Sequence, residues 1–139
     1  MSDQNSCQTM DLPSRMLLMA VKENMPKTIS ALLQEGADIE TKGPDGYTAF
    51  LLSAWFGHLE NLKILVENGA NTKVVTPDGG TAVLLTAQRG FGTLVEYLLT
   101  IGVDPTIEDK DTDTPLSVAQ KMNHQDIVEL LMRHASHTQ

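Results

Sequence analysis

The chain has 139 residues, a formal net charge of −8 at pH 7 and 4% aromatic residues, which suits one domain with a slender aliphatic core. The acidity argues against binding to nucleic acid, which needs a cationic surface, and against binding to an anionic membrane face. The single cysteine excludes an internal disulfide, and no apolar run approaches the length of a membrane span. The excess of acid indicates either solubility alone or attraction to a basic partner.

The N-terminal residues 1–12 are polar and predict a disordered tail that carries Cys7. They contain neither the basic nor the apolar segment of a signal peptide, so we expect a cytoplasmic protein, with a nuclear location as the alternative. Pro13 then offers a helix start, and residues 16–21 predict a short, largely buried helix. Pro26 favours the first turn of a second helix, where its missing N–H costs nothing.

The second helical pair has the clearest pattern. Thr48 can cap a first helix by accepting an N–H of its first turn, and Gly57 ends that helix. The second helix carries an apolar stripe at i, i+3, i+6 and i+7, and Gly69 stops it where a residue with positive φ is needed. The stripe consists of Leu59, Leu62, Leu65 and Val66.

The pattern recurs every 33 residues, which indicates stacked copies of one small unit. In the third unit Gly92 stands where an apolar residue would begin the second helix, so we expect this helix to start late, at Thr93. In the fourth unit Asn123 takes the place of the glycine that ends the first helix. The recurring positions are Leu32, Leu65, Leu98 and Leu131; Gly36, Gly69 and Gly102; Asp45, Asp78 and Asp111; and Thr48, Thr81 and Thr114.

A 33-residue unit of a turn and two helices resembles the ankyrin repeat. The resemblance is carried by Asp-Gly-Tyr-Thr-Ala from Asp45, by Gly-His-Leu-Glu from Gly57 and by Asn-Gly-Ala-Asn from Asn68. It implies an all-α ankyrin repeat solenoid of four helix-turn-helix repeats with projecting turns. The predicted domain covers residues 13–136, with repeats at about 13–43, 44–76, 77–109 and 110–136, between tails at 1–12 and 137–139.

The resemblance also implies a binding surface, because ankyrin proteins usually hold a partner on the strip formed by their turns and first helices. Trp55 and Phe56 are its sharpest candidates, since Trp and Tyr are enriched where binding energy concentrates. The alternative is that Trp55 packs over the third unit beside Gln88 as an edge of the core. The predicted contact residues are Tyr47, Trp55, Phe56, Gln88, Arg89, Asp111, Asp113, Lys121 and Met122.

The acids Asp109, Asp111 and Asp113 alternate as at the start of a calcium loop. The loop's required glycine is replaced by Thr114 and its final glutamate by Gln120, so we interpret the segment as an acidic turn and expect no metal site. The sequence contains no nucleophile paired with a base, and we therefore expect neither a catalytic residue nor a cofactor.

These features predict a protein that binds another protein stoichiometrically rather than an enzyme. The expected roles are inhibitor, immunity-type protein, or chaperone and adaptor, with a monomer when the partner is absent. Two alternatives stay open. The apolar face could join two copies of the chain, or the acidic turn could have a metal-responsive or catalytic role.

Overall fold

The computed structural model describes residues 11–137, and side chains up to residue 135. The predictions that concern residues 1–10, including Cys7, and residues 138–139 lie outside the described residues. The regular structure within 11–137 is helical throughout, and the chain divides after Thr72 into two compact units. The first unit contains α1 (Leu12–Lys22), α2 (Pro26–Gln34), α3 (Ala49–Phe56) and α4 (Leu59–Glu67); the second contains α5 (Ala82–Arg89), α6 (Gly92–Thr100), α7 (Pro115–Lys121) and α8 (Gln125–His137).

The first unit consists of two helix pairs packed side by side. Helix α1 packs against α2 and against α3, while α4 packs against α3 and α2. Neither pair could bury its apolar residues alone, so each supplies a wall of the other's core. The most deeply buried large apolar side chains of this unit are Leu17, Val21, Ile29, Phe50, Leu51, Leu62 and Leu65.

The second unit repeats the arrangement. Helix α5 packs against α6 and α7, and α8 packs against α7 and α6. The turns that precede α5 and α7 are joined by a hydrogen bond, in which the backbone N–H of Lys110 donates to the carbonyl oxygen of Asp78 at 2.9 Å. The core of this unit contains Val83, Leu84, Val95, Leu98, Ile127 and Leu131.

Threonine caps begin three of the first helices, as predicted. The side-chain oxygen of Thr48 accepts the N–H of Leu51 at 3.3 Å, and that of Thr81 accepts the N–H of Leu84 at 3.1 Å. Thr114 accepts the N–H of Ser117 at 3.1 Å. Each cap satisfies one backbone donor that has no partner inside its helix.

Left-handed residues end the helices where the 33-residue period places them. Gly36, Gly69 and Gly102 have φ of 99°, 89° and 92° after the second helices. After α7 the same role falls to Asn123, with φ of 61°, and Asn is the residue besides glycine that best tolerates this conformation. The prediction that Asn123 replaces the glycine is confirmed.

The structure differs from the sequence predictions at the helix ends. The second helix of the third repeat starts at Gly92, not Thr93, because the Phe91 carbonyl already accepts the N–H of Val95 at 3.0 Å. Helix α1 starts at Leu12, whose predicted place was the tail, and α8 continues through His137. The prediction that residues 16–21 form a largely buried helix is confirmed, since only Met16 and Met19 of this stretch are exposed.

The exposure of these two methionines follows from the arrangement of residues around α1. Leu17 and Val21 are fully buried, whereas Met16 and Met19 have 42% and 65% of their surface exposed. Residues 17 and 21 are one turn apart and share the core side, and residues 16 and 19 share another side. A continuous apolar run cannot point inward all round a helix that packs on one side only.

Candidate functional site

The end of the first helix is exposed in every repeat. In each repeat, two consecutive residues at this end follow helix residues that contribute to the core. Of the eight residues in these four pairs, seven are exposed and Trp55 is partly buried. The 33-residue period aligns these positions, so each repeat has a pair of residues at the same place, at the end of its first helix. The pairs are Lys22 and Glu23, Trp55 and Phe56, Gln88 and Arg89, and Lys121 and Met122.

In the first unit, Phe56 is the most exposed of the predicted aromatic contact residues, at 41% of its surface. Its ring stacks on the imidazole of His58, with centroids 5.9 Å apart and planes inclined by 10°. Stacking holds the phenyl ring beside the helix end instead of leaving it free to move. Tyr47 is partly buried in the preceding turn, where its backbone N–H donates to the carboxylate of Asp45 at 3.1 Å.

In the second unit, Gln88 and Arg89 are both exposed at the end of α5. The carbonyl oxygen of Gln88 lies 3.2 Å from Nε2 of His124, so this histidine braces the end of α5 against the start of α8. The guanidinium carbon of Arg89 lies 5.6 Å from the centre of the Phe91 ring, within the range of a cation–π contact. The histidine contacts the backbone of Gln88 and leaves its side chain exposed.

Asp113 and Lys121 are the predicted contact residues that the structure brings together. Lys121 Nζ donates to Asp113 Oδ1 at 2.6 Å, and this bond is the main reason why the pKa of the Asp113 carboxyl is lowered and the pKa of Lys121 is raised. Met122, the next residue, has 52% of its surface exposed. An exposed ion pair of this kind contributes little stability.

The acidic turn is organised by its own backbone. Asp109 Oδ1 accepts the N–H groups of Asp111 and Asp113, both at 2.9 Å, and Thr112 adopts a positive φ of 63°. Within residues 11–137 no group of three or more histidine, cysteine or acidic side chains is arranged to hold a metal ion. The geometry accounts for this turn as an Asx-type turn.

The sequence analysis missed one feature, a cleft between α1, the turn at 43–45 and α3 in the first unit. It has a volume of about 270 Å³. Two cations and one carboxylate lie among its lining side chains, and the rest of the lining is apolar or glycine. The spacing of Arg15 and Met19 along one side of α1 could have indicated it, since that side lies away from Leu17 and Val21. The lining residues are Arg15, Leu18, Met19, Lys22, Gly43, Pro44, Asp45 and Leu52.

Comparison with known proteins agrees with this repeat geometry. A family model described as ankyrin repeats (3 copies) matches residues 2–76 and 54–139. The chain therefore belongs to the ankyrin repeat family, whose members are generally protein–protein interaction modules and are typically non-catalytic. No curated protein matches the chain. None of the helices described in residues 11–137 has both the length and the hydrophobicity to cross a bilayer.

Proposed function

We propose that the protein binds another protein stoichiometrically through its turns and the ends of its first helices, as an inhibitor, an immunity-type protein or a chaperone and adaptor. The observation that carries the proposal is the recurrent exposure of the helix-end pairs described above, which repeats in all four copies of the unit. Packing of the core does not require these residues to be exposed. They include a Trp, a Phe, an Arg and a Met, four residue types that are enriched at interfaces.

The proposed contact residues differ in what they would contribute. Trp55 and Phe56 supply apolar area with few rotatable bonds, so their ordering on binding costs little. Gln88 and Arg89 supply hydrogen-bond donors on a helix end that His124 already holds in place. At the rim, the charges of Asp111, Asp113 and Lys121 would affect the rate and selectivity of association more than its strength.

A comparison of capture by wild-type protein and by the double variant Trp55→Ala/Phe56→Ala tests the proposal. Affinity capture from native lysate with mass spectrometry first identifies the partner, and calorimetry then measures its affinity. We expect the double variant to keep its helical circular dichroism and to lose about 2–4 kcal/mol of binding free energy. The control is Met132→Ala, which truncates an exposed apolar residue on α8 outside the proposed site. Equal affinities of wild type and the double variant would contradict the proposed site.

Self-association is a second candidate function, and the exposed side of α1 favours it. Leu12, Met16 and Met19 stand at i, i+4 and i+7 with 62%, 42% and 65% of their surfaces exposed. An apolar stripe of this spacing can pair with a second copy of itself through a two-fold axis. Sedimentation at micromolar concentration distinguishes the two functions. A dimer that Met16→Glu/Met19→Glu dissociates would support self-association, whereas a monomer at all concentrations would exclude it.

The cellular location of the protein is proposed from its cysteine content. We place the binding event in the cytoplasm, with the nucleus as the alternative, because one cysteine in 139 residues is typical of a protein that needs no disulfide framework.

A further inference from the structure

We propose that the cleft of the first unit binds an acidic segment of the partner protein, with an apolar side chain in the cleft and carboxylates on Arg15 and Lys22. The inference rests on the proposed function, because it specifies the chemistry of the partner at that surface. The cleft differs in charge from the rest of the chain. The chain as a whole carries −8, whereas the side chains that line the cleft include two cations and one acid.

The two cations are spaced for a peptide in the polyproline II conformation. Arg15 and Lys22 are seven residues apart on α1 and therefore lie on the same side of the helix, about 10 Å apart along its axis. In polyproline II three residues make one turn and advance about 9 Å, so residues n and n+3 lie on the same face at a similar distance. A peptide in this conformation along α1 would bring carboxylates at positions n and n+3 to the two cations, with a side chain between them at the cleft.

Both cations are available for such a contact. They are exposed, and within residues 11–137 neither Arg15 nor Lys22 forms an ion pair. The acid in the lining, Asp45, is engaged by its own turn, where it accepts the N–H of Tyr47. At physiological ionic strength charges are screened beyond about 8 Å. The lining carries two cations against one acid, so the local charge of the cleft is positive and determines the sign of charge that it attracts more than the remote acids do.

The size and lining of the cleft suit a side chain better than a small molecule. Its volume of about 270 Å³ falls below the range of about 300–1,000 Å³ that is usual for pockets of drug-sized ligands. Leu18, Met19, Pro44 and Leu52 give it apolar walls. Gly43 lies close against this lining, since a Cβ there would lie 3.3 Å from the Asp45 carboxylate and 3.6 Å from a methyl carbon of Leu18. Met19 adds a flexible, polarisable surface that adapts to different apolar side chains.

A positional peptide library tests the inference directly. The probe is a set of seven-residue peptides with leucine fixed at the centre and Glu, Lys, Gln or Ser varied at every other position, offered to the full-length protein. We expect glutamate to be enriched on both sides of the leucine in the bound fraction. For the tightest peptide we expect affinity to fall about tenfold in Arg15→Glu/Lys22→Glu, since two attractions become repulsions. Binding should also weaken when NaCl is raised from about 0.05 to about 0.5 M.

The matched control is Lys27→Glu/Arg133→Glu, which changes the net charge equally at exposed positions outside the cleft. Its affinity for the same peptide should stay within about twofold of wild type. If the charge-reversed cleft variant shows a lower melting temperature, Arg15→Gln/Lys22→Gln replaces it, with a smaller expected loss of about threefold. Selection of lysine or of no charge, or an affinity that the cleft variants leave unchanged, overturns the inference.

The outcome separates this inference from the proposed function. Capture of the natural partner that depends on Trp55 and Phe56, together with a library that selects no acid, would leave the binding function intact and remove the acidic partner. The opposite result is a library that selects acidic peptides through Arg15 and Lys22, together with normal capture of the partner by Trp55→Ala/Phe56→Ala. It would support the acidic ligand of the cleft and contradict the helix-end site. A dimer of the chain that Arg15→Glu/Lys22→Glu dissociates would mean that a second copy occupies the cleft, and would overturn the proposal of a distinct acidic partner.

Discussion

The side-chain amide of Asn61 on α4 donates to the carbonyl oxygen of Val21 on α1 at 3.2 Å, and both residues are completely buried. The contact joins two helix pairs of the first unit across 40 positions of sequence. In the second unit the aligned positions are apolar, namely Leu94 and Ile127, and both are buried. Asn61 is thus a buried polar residue at a position that the third and fourth repeats fill with an apolar side chain, while the first repeat has the half-buried Thr28.

The hydrogen bond of Asn61 should contribute little to the free energy of unfolding, so an apolar residue of similar shape should be tolerated at this position and a charged one should not. Asn61 Oδ1 has no hydrogen-bond partner in the described part of the chain, and the Val21 carbonyl also accepts the N–H of Asn24 at 3.3 Å. We therefore expect Asn61→Leu to change the free energy of unfolding by less than about 1.5 kcal/mol. Asn61→Asp should lose about 3 kcal/mol or more, because it buries a charge beside a carbonyl oxygen.

Urea unfolding followed by circular dichroism measures both variants. The informative quantity is the difference between them, since Asn, Leu and Asp share the same branching at Cγ. Equal losses for Asn61→Leu and Asn61→Asp would mean that shape, and not polarity, determines the stability at this position.

The sequence predicted the features of the fold that depend on neighbours in the chain. The Thr81 cap, the glycine ends such as Gly102 and the replacement by Asn123 each need only a few consecutive residues to be recognised. The Asn61–Val21 contact could not be predicted in this way, because it depends on how two repeats stack. The available signal was an asparagine at a position that the third and fourth repeats fill with Leu94 and Ile127.

For the candidate site, the period located the exposed helix ends but not the cleft. Residues 16–21 read as one apolar run, and the run alone does not say which side of α1 faces its neighbours. The start of α6 at Gly92 was missed for a similar reason. A Cβ at Gly92 would lie 3.4 Å from the carboxylate of Asp126 on α8, so the small residue there suits a close tertiary contact that the local sequence does not show.

A methyl group at Gly90 should be far more damaging than one at Gly102. Both glycines have positive φ, 81° and 92°, so alanine at either position costs about 1 kcal/mol of backbone strain. At Gly90 a Cβ would also lie 2.9 Å from Cε1 of His124, whereas at Gly102 nothing lies within 4 Å. We expect Gly90→Ala to lose about 1–2 kcal/mol more unfolding free energy than Gly102→Ala, because the imidazole must leave the Gln88 carbonyl.

The double variant Gly90→Ala/His124→Ala identifies the cause. Thermal unfolding of the wild type, Gly90→Ala, His124→Ala and the double variant gives the coupling free energy between the two positions. The added loss should largely disappear once His124 is truncated. A Gly90→Ala penalty that is the same with and without His124 would show that strain alone accounts for it.

Removing the hydroxyl that caps α5 should destabilise the second unit measurably. Thr81 is buried and its oxygen accepts the N–H of Leu84 at 3.1 Å, so Thr81→Ala leaves a buried donor without a partner. We expect a loss of about 1–2 kcal/mol in unfolding free energy. Thr81→Ser keeps the oxygen and removes only a methyl group, and it should recover most of the loss. Equal melting temperatures for Thr81→Ser and Thr81→Ala would argue against the cap as the source of stability.

The pKa of Asp113 should depend on Lys121 and not on other cations of the turn. The hydrogen bond from Lys121 is the largest cause of the lowered pKa, and Ser117 adds a smaller contribution. A carboxyl whose pKa is lower in the folded chain stabilises the fold above its unfolded pKa, and this contribution is lost as the pH falls through the folded value. We therefore expect Lys121→Ala to raise the pKa of Asp113 towards its ordinary range, as measured by carbon-detected NMR of the carboxyl group.

Lys110→Ala is the matched control for that titration, because it removes an exposed lysine from the same turn that is not among the causes of the Asp113 shift. It should leave the Asp113 titration close to that of wild type. The effect of Lys121→Ala should shrink as salt is added, since the pair is exposed and ions screen it. If Lys110→Ala and Lys121→Ala raised the pKa equally, the net charge of the turn, and not the specific Lys121–Asp113 pair, would explain the shift.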